Sequence, residues 1–310
     1  LRIVSLEPFI TDIIDFSGAA PMLVGVSSRC ELSEPSSAPT IVTIPDDGTH
    51  RFTSSDEERI SRGLATSLVD CKKIISLSPD IIFTRMTDLE RAAFQLLAEE
   101  YFEAWVGRKV LVKDVSIISL ATMYEEIEAV GVRVGKGREC RDLAGRIKAQ
   151  IMGWADSFFD RSRGKKVVLL SSIEPLRIET RWFTSFAKLF SCQLFTRDPK
   201  RRDSQLQWSE ICDFRPDVIL VAPQEGGVAT GVRGLGALER LDGWDSLPAV
   251  KRGDVFFCDG NDLYRPGPRF LKGAAVFVSA LAGLESGYIT QRDEFYRLRF
   301  LELHRHRFLC

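Results

Sequence analysis

Arg29, Arg85, Arg181 and Arg265 stand at loop positions, where a guanidinium could grip a carboxylate or an amide through two parallel hydrogen bonds. Trp182 and Trp208 lie beside polar loop residues, so their indoles could lay flat apolar faces on a planar ligand or equally cap a core. Glu7, Asn261 and Tyr264 add polar groups at similar junctions, although Glu7 before Pro8 also suits a helix N-terminus. These residue types hold a molecule better than they transform one. No G-x-S-x-G, H-E-x-x-H or Walker loop occurs, and the glycines at 231, 234 and 236 do not join a strand directly to a phosphate-binding helix. His304 and His306 are two residues apart and share no helical face, which makes them, with Cys310, a poor metal set. The expectation is a binding protein with no catalytic residues, no metal site and no tightly bound cofactor.

Alternating strand and helix patterns must position these groups. Residues 3–6 read as a strand that runs into Glu7-Pro8 and an apolar helical face of Ile10, Ile13 and Ile14. Strands follow at 23–27, 80–84 and 109–115, with helices at 70–77, 88–100 and 121–130 and a long polar excursion over about 28–66. Glycines at 131, 135 and 137 then break the pattern. Residues 138–160 read as one long amphipathic helix, with Cys140, Leu143, Ala144, Ile147, Ile151, Trp154 and Phe158 on its apolar face. At 1.5 Å per residue it spans roughly 34 Å.

The second half then repeats the first. Strand 167–172, a helix at 183–190, a short helix at 209–214 and strand 218–222 follow in order. Residues 72–83 and 210–220 share a short helix, a Pro-Asp turn and a buried strand. The fold expected is α/β: two lobes with mainly parallel sheets joined by one long backbone helix, with a cleft between them. Its parts are an N-terminal lobe at 1–135, the linker helix at 136–162, a C-terminal lobe at 163–288 and a basic helical extension at 289–310.

Composition narrows the partners. Forty-two Lys and Arg balance 43 Asp and Glu, and the basic residues are scattered, which argues against nucleic acid. No apolar run reaches the roughly 18 residues of a membrane span. The seven cysteines are odd in number and contain no C-x-x-C pair, as expected of reduced thiols in a core.

The ordered series Arg2-Ile3-Val4-Ser5-Leu6-Glu7-Pro8, Leu23-Val24-Gly25-Val26-Ser27-Ser28, Ser78-Pro79-Asp80-Ile81-Ile82, Gly243-Trp244, Leu247-Pro248, Gly253-Asp254-Val255-Phe256 and Asp259-Gly260-Asn261 through Arg265-Pro266-Gly267-Pro268-Arg269 carries a resemblance. It resembles the cobalamin and iron-siderophore branch of the ABC-transporter substrate-binding proteins over about residues 1–285. That resemblance implies capture of a bulky ligand for ABC-type uptake: cobalamin or another corrinoid first, iron-siderophore or haem next. It also implies a monomer with no membrane span and a permease partner docking on a carboxylate of each lobe. Glu90 fits the first carboxylate position, and the second falls at or near Tyr264.

On such a scaffold the ligand sits beyond the carboxyl ends of the strands. Glu7, Arg29 and Arg85 would contact it from the first lobe, and Arg181, Trp182, Trp208, Asn261, Tyr264 and Arg265 from the second. Arg85 stands where cobalamin receptors carry an aromatic, and Arg29-Cys30 where they carry Ser-Tyr, so an anionic ligand is better served. The resemblance implies an extracytoplasmic location, whereas the unpaired cysteines and the absence of an export signal before the first strand point to the cytoplasm. The alternative is a cytosolic corrinoid- or metallocofactor-handling enzyme or chaperone on the same scaffold.

Overall fold

Short runs of β-branched and aromatic residues, apolar on successive positions, are the signature of strands buried on both faces of a parallel sheet. The computed structural model describes residues 1–33, 39–43, 70–85, 103–180, 182–197, 206–223, 227–284 and 295–298. These fall into two units, residues 1–117 with 122–145, and residues 118–121 with 146–310.

In unit 1, β1 (Ile3–Ser5), β2 (Leu23–Val26), β3 (Thr40–Ile41), β4 (Ile81–Thr84) and β5 (Leu111–Asp114) form a parallel sheet in the order β3-β2-β1-β4-β5. Helices α1 (Pro8–Phe16), α2 (Cys71–Ser76) and α3 (Glu103–Val106) lie between strands along the chain. Val4, Leu6, Val42, Ile74, Ile82 and Val110 pack into one buried cluster of this unit.

Helix α4 (Leu120–Arg133) precedes α5 (Gly137–Ser162), the strut expected at 138–160. Its 26 residues form one helix of about 39 Å. Cys140, Leu143, Ala144, Ile147, Ile151 and Ala155 are its buried line, while Trp154 and Phe158 are only half-buried. Gly131, expected to interrupt the pattern, instead sits inside α4. A Cβ there would lie 2.3 Å from that of Cys140, so the glycine allows the close approach of the two helices.

Unit 2 holds β6 (Lys166–Ser172), β7 (Arg177–Ile178), β8 (Gln193–Leu194), β9 (Val218–Val221), β10 (Val255–Cys258) and β11 (Phe295–Arg297). Strand β6 pairs in parallel with β8 and β9, and β9 with β10, whereas β7 and β11 are antiparallel additions. Helices α6 (Phe183–Leu189), α7 (Trp208–Phe214), α8 (Gly227–Arg233), α9 (Leu235–Glu239), α10 (Pro248–Arg252), α11 (Gly260–Tyr264) and α12 (Phe270–Ala282) complete it. Val168, Leu170, Ile219, Val221, Val255 and Phe257 alternate along three strands into one core, together with Trp244. Among the described residues no helix is long and apolar enough to cross a membrane.

The sequence repeat becomes a repeated clamp. In unit 1 the Asp80 carboxylate accepts a hydrogen bond from Arg2 N–H at 2.6 Å, and Asp80 N–H donates to Arg2 O at 2.8 Å. In unit 2 Asp217 does the same to Lys166, at 2.9 and 2.7 Å. The residues before the two prolines, Ser78 and Arg215, both take a left-handed backbone, with φ of 43° and 52°, which non-glycine residues adopt rarely. An arginine just ahead of the next strand closes each corner. Arg108 bonds the Asp80 carboxylate and Ser78 O, and Arg252 bonds the Asp217 carboxylate and backbone oxygen at 2.8 and 3.1 Å.

The helical extension expected at 289–310 is corrected where it is described. Residues 295–297 form β11, because the edge of β10 offers unpaired backbone groups and Arg297 anchors the pairing. Its guanidinium donates to Gly253 O at 3.0 Å and to Asp254 at 2.5 Å, and lies over the Phe256 ring.

Partial burial alone would raise the Asp217 carboxyl, but the Lys166 N–H and the Arg252 guanidinium together hold it below the ordinary value. Asp217→Ala is therefore expected to lower the unfolding free energy by about 2 kcal/mol at neutral pH, measured by urea denaturation. The depressed carboxyl contributes stability above its unfolded value that is lost as pH falls, so the difference should shrink below about pH 4. An unchanged midpoint would mean that the backbone bonds hold these strands without the carboxylate.

Candidate functional site

In unit 1 the parallel register brings four strand exits to one edge. Ser5 lies opposite Val26 and Phe83, and Thr84 opposite Asp114. The ladder continues past the strands through Leu6 N–H to Phe83 O, Ser27 N–H to Ser5 O and Val115 N–H to Thr84 O, at 2.9 to 3.1 Å. Glu7, Arg29, Arg85 and Asp114 are therefore neighbours although up to 107 residues separate them in sequence. The loop carrying Arg29 is pinned by Ser28 N–H donating to Thr43 Oγ1 at 2.7 Å.

Glu7 occupies the N-cap position of α1 but makes no side-chain capping bond. Its carboxylate is left to the cluster. Burial pushes it up to about 6, against the Arg29 and Arg85 guanidinia that pull it down, and Asp114 adds to the rise. Both arginines are exposed. Beneath them lies a polar knot: Thr11 Oγ1 is 2.8 Å from Ser5 Oγ and 3.0 Å from Cys30 Sγ, and Ser27 Oγ is 3.2 Å from the same sulfur. Burial raises the Cys30 thiol more strongly than its Ser27 and Thr11 hydrogen bonds lower it, with Glu7 adding to the rise, so it remains protonated.

Unit 2 treats its expected site residues differently. Trp182 is only 5% exposed, its ring edge-on to Phe270 at 4.5 Å and its Nε1 donating to Tyr264 O at 3.1 Å. Through Phe183 and Phe270 it joins an aromatic core that also holds Phe186, Phe190 and Phe277. Trp208 is half-buried against Trp244 and donates to Asp242 O at 2.9 Å. Tyr264 is 5% exposed, and its buried hydroxyl has no hydrogen-bond partner among the described residues. Burial, then the nearby Cys258 and Glu179, push that phenol well above its ordinary value. Both indoles and the phenol therefore bear on packing in this unit.

Asn261 and Arg265 follow the carboxyl end of β10. The Asp259 side chain accepts Asn261 N–H at 2.8 Å and opens α11, leaving Asn261 exposed and Arg265 half-buried. Gly260 lets this turn touch β9: a Cβ there would lie 2.2 Å from Ala222 O. Gly260 N–H donates to Pro223 O at 3.0 Å. Arg181 and Glu90 lie outside the described residues, as do His50, His304, His306 and Cys310. The five described cysteines that are free are Cys30, Cys140, Cys192, Cys212 and Cys258.

Sequence reasoning missed Ser5, Thr11, Ser27 and Asp114. Ser5 and Asp114 are the last residues of their strands, a position that marks them in a parallel sheet once the register is known.

Because the raised Glu7 carboxyl favours the protonated folded state, its contribution is present below the unfolded carboxylate value and is lost as pH rises through about 6. Glu7→Gln is accordingly expected to be more stable than the natural protein above pH 7 by about 1–2 kcal/mol, the gap closing as pH falls toward 4.5. Thermal unfolding across that range reads the difference. A gap that does not change with pH would show that Glu7 is not held at a cost.

No family model matches the chain. It is 23% identical over 208 residues to YvrC of Bacillus subtilis (strain 168), described as an uncharacterized ABC transporter substrate-binding lipoprotein. That match covers 66% of this chain, and the chain spans about 62% of the length of this curated relative. The periplasmic vitamin B12-binding protein BtuF of Vibrio cholerae superposes with a TM-score of 0.67 at 18% identity, covering 90% of this chain and 96% of that one. The periplasmic haem-binding protein RhuT from Roseiflexus sp. RS-1 gives 0.64 at 18% identity, over 91% and 98%. At these identities the likeness concerns architecture, and it covers both units and the helix that joins them: the chain has the two-lobed α/β fold of the periplasmic solute-binding proteins.

Proposed function

We propose that this protein is an ABC-type substrate-binding protein that captures a bulky, metal-carrying organic ligand outside the cytoplasm and delivers it to a permease. The unbroken helix from Gly137 to Ser162 carries the reading: it leads from one parallel α/β unit into a second, as the fold shared with BtuF and RhuT requires. The descriptions of the relatives as periplasmic proteins or as a lipoprotein support the location.

Cobalamin, ferric siderophores and haem form the ligand class, and the strand-end chemistry sorts among them. Trp182 is committed to its own core, so it offers no flat face for a neutral corrin ring. Arg29 and Arg85 instead present two exposed guanidinia at one edge of unit 1, which suits carboxylates. The anionic members, haem with its propionates and carboxylate-bearing siderophores, fit this edge best. The protein's part would be recognition and release without covalent change to the ligand.

The test is direct. Purified protein is incubated with haemin, cyanocobalamin or a ferric siderophore and desalted, and its visible spectrum is recorded. Haemin should be retained more tightly than cyanocobalamin, and replacing both Arg29 and Arg85 by alanine should weaken haemin by about 100-fold if each arginine contributes a charge-assisted bond. Retention of none of these chromophores at about micromolar concentration, where a receptor of this kind should bind, would contradict the proposal.

A further inference from the structure

Three groups converge on the Glu7 carboxyl from three different strand exits of unit 1. Arg29 comes from beyond β2, Arg85 from the residue after β4, and Asp114 from the end of β5; the Cys30 thiol completes the charged and titratable surroundings. The two guanidinia are exposed and rest on a pinned backbone. Glu7 is half-buried, lacks a capping bond and, like Asp114, carries a charge that a ligand carboxylate would duplicate.

We propose that an ionised Glu7 competes with an anionic ligand for the positive field of Arg29 and Arg85, and that binding of the ligand places a proton on Glu7. This deepens the function proposed above, and rests on it for the kind of ligand, by making one carboxyl the residue that sets which ligand charge the site accepts. The balance is simple: the ionised carboxylate takes one proton from solvent as the ligand anion approaches, and the arginines, which interact with Glu7 through space, meet the ligand anion directly. The positive charge of the pair is then answered by the ligand, with Asp114 nearby. Asp114 acts in the same direction, since its negative charge makes an ionised Glu7 harder to keep beside a second anion. With the Glu7 carboxyl already raised to about 6, the proton is within reach under mildly acidic conditions.

Sulfate is the probe, because it stays a dianion throughout the range in which Glu7 titrates. Its affinity for the full chain is measured by NMR titration at about pH 5.5 and about pH 7.5. If only the protonated form binds, affinity should be about 20-fold higher at the lower pH. Calorimetry in two buffers of different ionisation enthalpy should show proton uptake on binding to the natural protein, a reading that needs no variant. Glu7→Gln should bind sulfate at the higher pH about as tightly as the natural protein does at the lower one, and should lose the pH dependence. Absence of saturable sulfate binding, equal affinity at the two pH values, or binding without proton uptake would overturn the proposal. Proton-linked sulfate binding in a protein that retains no haemin, cobalamin or siderophore would sink the receptor reading alone and leave the Glu7 competition standing.

Discussion

The aspartate of each Pro-Asp turn is the constraint on which the rest of this molecule depends. Asp80 and Asp217 each use both backbone and side chain to seize the start of the opening strand, at Arg2 just before β1 or at Lys166, the first residue of β6, and each is itself held by an arginine placed ahead of the next strand. Three adjacent strands are thereby locked in register at their amino ends. Parallel strands gain no help from a tight hairpin in finding their register, so an anchor of this kind has a clear use. Everything at the opposite, carboxyl edge inherits its position from that anchor.

What the edge then does follows from burial and charge together. In unit 1 the register gathers a carboxyl and two arginines above a hydroxyl and thiol knot, and the half-buried carboxyl is left poorly solvated between charges of both signs. In unit 2 the corresponding region is drawn inward. Gly260 and Gly273 bring backbone against backbone, with prospective Cβ contacts of 2.2 Å, and an aromatic core closes around Trp182 and Phe270. One unit therefore offers charge at its strand ends, and the other offers packing, with Asn261 and Arg265 at its margin.

Much of the fold was legible because periodicity and punctuation are local signals. The alternation of βα pairs, the strut and the two Pro-Asp turns can be read from spacing alone, and the structure adds that the turns share left-handed residues and arginine locks. The strut's apolar face was readable as far as Ile151, beyond which Ala155 is buried and Trp154 and Phe158 are only half-buried. Gly131 was misleading, since a glycine that permits close helix packing looks like one that ends a helix. Residues 295–297 were misleading too, because a basic amphipathic pattern cannot show that a sheet edge is waiting for it. At the candidate site, residue type pointed to Glu7, Arg29 and Arg85, which the register of unit 1 brings to one edge. It could not tell an indole facing a ligand from one facing Phe270, nor could it find Asp114, because both depend on contacts made across the chain.

The central claim is that the strand-end arginines of unit 1 receive the charged groups of a metal-bearing ligand. Diffraction at the iron absorption edge from crystals grown with haemin tests it most directly, since it locates the metal independently of any assumed pose. The account predicts one iron site at the carboxyl edge of the unit 1 sheet, with the porphyrin carboxylates on Arg29 and Arg85. Iron at the opposite edge, beside Asp80 and Arg108, or a bound porphyrin that leaves both guanidinia untouched, would contradict it.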